Sequence, residues 1–124
     1  GYAYPVLMTY AEQEDDLVYN MTKAMVELYT NYAESGVPGI KGWDIGRQDF
    51  TWVAPYHPGA IRYFEEIGVW SDEAQAHNEN LIARQEALMT AWEELMAEDP
   101  ENWAEAWETR RREALEAGGF NVVF

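Results

Sequence analysis

Residues 71–98 carry the feature that most limits the possible folds. Ser71 and Asp72 open a helical pattern in which Leu81, Gln85, Leu88, Trp92 and Leu95 recur at alternating steps of four and three. That spacing builds a seam suited to packing against another helix, and the polar Gln85 within it is expected to fix register. Asp99-Pro100 stops the pattern, with the aspartate expected as cap and the proline in the first turn of the next helix. Trp103, Trp107, Arg110 or Arg111, and Ala114 lie along that second helix, and Gly118-Gly119 end it. A connection this short predicts an antiparallel helix hairpin.

Upstream the pattern changes twice. Residues 4–10, YPVLMTY, are mostly apolar without helix caps and predict one strand, whose backbone groups need partners from elsewhere. Leu17, Val18, Met21, Met25, Leu28 and Tyr32 then predict a helix with one apolar face. Asp15 or Asp16 is its expected cap, and Gly36 its expected end. Residues 36–57 hold four of the nine glycines with Trp43, Phe50 and Trp52, and predict an aromatic-pinned irregular segment that either docks on a neighbour or forms a short helix near 44–50.

The stretch PYHPGAIRYF at 55–64 contains one of only two histidines. Pro58 suits the first helical position, so His57, Pro58 and Gly59 read as the entry to a helix with His57 at or near its cap. Ala60, Ile61, Phe64 and Ile67 form its expected apolar stripe, closed by Gly68. The predicted fold class is mostly α: one N-terminal strand followed by about four helices, the last two forming the C-terminal antiparallel hairpin. The chain reads as a single module, with 1–70 as strand plus helices and 71–124 as the hairpin extension.

Charge and composition exclude several functions. With 23 acidic against 8 basic residues, the net charge of −15 repels phosphate backbones and anionic lipid surfaces, so no nucleic-acid partner is expected. The absence of cysteine excludes a disulfide scaffold and a thiolate site. No apolar run is long enough to span a membrane, and no signal-peptide pattern is present. His57 and His77 do not share a metal-ligand spacing, and the acidic EQEDD run at 12–16 lacks the glycine and alternating oxygens of a calcium loop. No metal, no cofactor and no catalytic residue are expected, so the chain is read as a non-enzyme. Ligand-binding candidates are the aromatics Tyr4, Tyr10, Trp43, Trp52 and Tyr56, which could line a pocket, with Arg62 as a carboxylate partner.

Three runs in the same order carry a family likeness: YPVLMTYAEQEDDLVYNMTKAM, PYHPGAIRYFEEIGVW and AHNENLIARQEALMTAWEEL. Over roughly residues 3–115 the chain resembles the C-terminal part of TAXI-type solute-binding proteins, the extracytoplasmic receptors of tripartite ATP-independent periplasmic (TRAP) transporters. The resemblance implies a periplasmic location and a parent fold of two α/β lobes that close on a small organic anion and deliver it to membrane subunits. Most ligand contacts in that family lie upstream of this region, so solute binding is expected only where the upstream lobes accompany it. The alternative expectation is a stand-alone interaction or structural subunit derived from this module and bound to a periplasmic-side membrane assembly.

Overall fold

A computed structural model describes residues 6–122. The described residues are mostly helical, in the order α1 (Asp15–Glu27), α2 (Tyr29–Tyr32), α3 (Pro58–Glu66), α4 (Asp72–Glu98) and α5 (Trp103–Ala117), with single 3₁₀ turns at Ile40–Trp43 and Ile45–Arg47. They form two compact units, Gly1–Ala76 and His77–Phe124. No strand occurs among the described residues. The expected strand at 4–10 begins outside them, and its remainder, 6–10, is irregular and exposed. A strand exists only through a ladder partner, and nothing in the described part of the chain supplies one.

In the first unit, α1 packs on α3. Ala60, Tyr63 and Phe64 of α3 are buried, and Val18, Tyr19 and Val26 of α1 pack against them with Ile45, Phe50, Tyr56 and Trp70. The α1 face in use overlaps the one its periodicity suggests only at Val18. Leu17, Met21 and Leu28 are each about half exposed, while the neighbouring side carries the packing. Exposed polar contacts border the packed side: Arg62 reaches Asp16, Tyr19 donates to Glu66, and Lys23 lies 3.8 Å from Glu66. On α3 Ala60 and Phe64 are buried as expected, with Tyr63 inside as well and Ile67 38% exposed.

The α1 cap also differs from expectation. Glu14 occupies the cap position without a side-chain bond, and Asp15 and Asp16 lie in the first turn, where they complement the positive end of the helix dipole. Leu28 breaks the helix well before Gly36, and α2 follows. Between α2 and α3 the irregular segment is held by local bonds. Asp44 accepts from the Gly46 N–H at 2.9 Å, and Gln48 Nε2 donates to the carbonyls of Gly42 and Asp44. Gly68, at φ +73°, ends α3 in a left-handed turn, and the N–H of Val69 returns to the Phe64 carbonyl at 2.9 Å. Ser71 caps α4 by accepting from the Ala74 N–H at 3.1 Å.

The second unit contains the hairpin. Trp92 packs on Trp103 and Trp107 with ring centroids 5.6 and 5.2 Å away, and Arg110 reaches back to Glu98 at 2.7 Å and Glu94 at 3.4 Å. Leu95, Ala91 and the fully buried Leu115 form its interior. Gln85 is exposed and lies outside the seam, because the buried row steps through Ala91 and Leu95 and leaves Gln85 on the adjoining face. The turn departs from expectation as well. Asp99 takes φ +46° and terminates α4, whereas Asn102 caps α5 by accepting from the Glu105 N–H, with Asn102 Nδ2 donating to the Glu105 carboxylate. Asparagine and aspartate tolerate the left-handed region better than most residues, which suits Asp99 to that break.

Candidate functional site

The HPG step is where the first unit is joined. His57 has extended backbone and sits at the N-cap of α3. Its Nδ1 accepts the Gly59 N–H at 3.0 Å, one of the amides the helix cannot satisfy itself. An accepting Nδ1 leaves Nε2 to carry the proton, and Nε2 lies 3.0 Å from the Gln13 carbonyl oxygen. The neutral imidazole therefore spans 44 residues of sequence, tying the segment before α1 to the start of α3. The Asp15 carboxylate is 3.8 Å from Nδ1, and the ring is buried, with 6% of the side chain exposed.

Pro58 occupies the first turn, where its missing N–H costs no hydrogen bond. Gly59 is buried against the backbone of α1. A Cβ at this position would stand 2.3 Å from the Asp15 carbonyl oxygen and 3.0 Å from both the Tyr19 nitrogen and the Val18 Cβ. The absence of a side chain is thus what lets the two helices approach so closely. Ala60, next in sequence and buried, continues the small-residue contact.

The ligand-binding candidates are dispersed. Tyr4 lies outside the described residues. Tyr10 is 81% exposed, in the irregular N-terminal segment. Trp43 packs edge-on against Tyr32, and Trp52 is half-buried in the loop before α3. Tyr56 belongs to the core cluster, with Phe50, Phe64 and Trp70 around it at centroid distances of 5.6 Å each. Burial raises the Tyr56 phenol above its ordinary value, with the nearby Asp49 charge adding to the shift. Arg62 stacks over the Tyr19 ring at 4.0 Å while bonding Asp16 at 3.0 Å. Its open hollow is otherwise lined by Glu12, Gln13, Glu14, Asp15 and Asp16.

Tyr56 and Arg62 thus hold internal packing and pairing among the described residues. No group of metal-ligating side chains occurs among the described residues. No described helix is long and apolar enough to cross a membrane. The residue that sequence reasoning undervalued is Gly59, whose role is visible only once α1 lies across it. The only sequence signal for it is its place between a helix-opening proline and a small alanine.

What this unit amounts to is a binding-protein-type module. The NMT1-like family model matches residues 3–68, more than half of the chain and all of α1 through α3, with the HPG step toward the end of the matched range. The chain belongs to that family, which is related to the periplasmic binding proteins. No curated protein and no solved structure matches the chain.

Proposed function

We propose that this chain serves as the C-terminal part of an extracytoplasmic solute-binding receptor of the TAXI type, working in the periplasm with the membrane subunits of a TRAP transporter. Its membership of the NMT1-like family supports the receptor class. The observation that carries the more specific role is α1 itself. One side of it is welded to α3 through Gly59, while Leu17, Met21 and Leu28 stay half exposed on another. A helix apolar on two sides suits a brace that packs on receptor lobes as well as on its own unit.

In this role the module positions the receptor and contributes no chemistry. An organic anion approaching Arg62 would have to displace Asp16 while facing Glu12, Glu14 and Asp15. Solute recognition accordingly belongs to the lobes that accompany the module. The alternative, a stand-alone subunit bound to a periplasmic-side assembly, rests on the same outward face of α1.

Native mass spectrometry on material from the natural source tests the proposal. The receptor reading expects the sequence within a longer polypeptide that gains a small organic anion. A free chain of 14.3 kDa held in a complex with other subunits would overturn it in favour of the stand-alone role.

A further inference from the structure

Outside the family-matched region, α4 carries a second apolar row that the hairpin covers only in part, at Trp92, where Trp103 and Trp107 pack. Ile82, Met89 and Met96 recur every seven residues and are 41%, 63% and 55% exposed. Trp92, 42% exposed, falls three residues after Met89 and four before Met96. Gln85 takes the corresponding place one heptad earlier and is exposed too. These five positions form the a and d sites of a heptad repeat, which is the pattern by which one helix receives another. The row runs for about 21 Å at 1.5 Å per residue. It lies beside the Leu81, Leu88 and Leu95 row, and Trp103 of α5, 37% exposed, widens it at one end.

The border of the row states the partner's chemistry. Glu79, Glu86 and Glu93 also recur every seven residues, each four places after an a site or its equivalent one heptad earlier, and all three are exposed. Flanking positions of this kind select partner and orientation through charge. Two copies of this chain laid antiparallel along the row would bring glutamate rows together, on molecules that each carry −15. Anionic lipid is disfavoured by the same charge. We infer that the Ile82–Gln85–Met89–Trp92–Met96 face of α4 docks an amphipathic helix of a partner protein whose apolar stripe is bordered by lysine or arginine. The two exposed methionines suit such a surface, because the flexible thioether adapts to the partner's side chains. This inference is independent of solute binding and holds whether the module is part of a receptor or stands alone.

The test uses the full chain and two synthetic three-heptad helices, identical in their leucine and isoleucine a and d positions. One carries lysine at the flanking positions and the other glutamate. Titration calorimetry is expected to show saturable binding of the lysine helix, weakened by added salt, and none of the glutamate helix. Met89→Glu with Met96→Glu, both on the exposed face, is expected to weaken binding at least tenfold, roughly the loss that a charge buried at a hot spot causes, with far-UV circular dichroism unchanged. Three results would each overturn the inference. These are equal binding of both helices, binding of the lysine helix that survives the double substitution, and a concentration-dependent dimer in sedimentation that the double substitution abolishes.

Discussion

Gly59 of α3 and Asp15 of α1 approach so closely that a methyl group on Gly59 would lie 2.3 Å from the Asp15 carbonyl oxygen. Backbone meets backbone there, so neither side can yield by changing rotamer. The contact sets the spacing of the two helices that build the first unit, and His57 and Pro58 fix where the second of them starts.

Gly59→Ala is accordingly expected to destabilise the first unit, although alanine is the better helix former by up to about 1 kcal/mol. Overpacking against backbone costs about 1–3 kcal/mol, and here it opposes a smaller gain. Thermal unfolding followed by circular dichroism checks the sign. A rise in Tm for Gly59→Ala would mean that α1 does not lie against α3 as described.

His57→Ala removes a cap and leaves the Gln13 carbonyl without its partner. Loss of a helix cap costs about 0.5–2 kcal/mol. His57→Asn keeps a capping side chain but is too short to reach Gln13, so it should retain part of that stability. Urea unfolding of both variants orders them: wild type above His57→Asn, and His57→Asn above His57→Ala.

Leu115→Ala addresses the second unit alone. Leu115 is fully buried, and truncating a buried leucine costs about 2–5 kcal/mol. Hydrogen exchange should show loss of protection across α5 and the facing part of α4. Amides of α1 and α3 are expected to keep theirs if the two units open separately.

Alkaline stability follows from Tyr56. Its phenol titrates above the ordinary tyrosine value of 10.0 because burial disfavours the phenolate. The folded pKa exceeds the unfolded one, so the neutral phenol's contribution is fully present below pH 10 and fades as the pH rises through the folded value. The wild type is therefore expected to lose stability above that pH more steeply than Tyr56→Phe. Urea midpoints measured at neutral and at strongly alkaline pH give the comparison.

The sequence made some of this legible and hid the rest for identifiable reasons. The capping role of His57 and Pro58 depends on the residues beside them, so it can be read locally. Gly59's contact joins residues 44 positions apart, and no local pattern encodes it. Of the packed side of α1 only Val18 was expected, because Leu17, Met21 and Leu28 offer one apolar row while Val18 and Val26, with Tyr19, offer another. Periodicity counts both, and only the apolar surface that Ala60, Tyr63 and Phe64 of α3 present decides between them. Asp99-Pro100 correctly marked the end of α4, but the next helix took its cap from Asn102, where the Glu105 pairing completes a reciprocal bond. Gln85 was drawn into the seam by a four-three count that fits two adjacent rows of α4 equally well.

The state of the His57 ring tests the architectural role of the HPG step most directly. Long-range proton–nitrogen correlation NMR at neutral pH distinguishes the two imidazole tautomers. The account predicts a proton on Nε2, a bare accepting Nδ1 and a slowly exchanging Gly59 amide. A ring protonated on Nδ1, with a Gly59 amide that exchanges freely, would contradict it and remove His57 from the cap of α3.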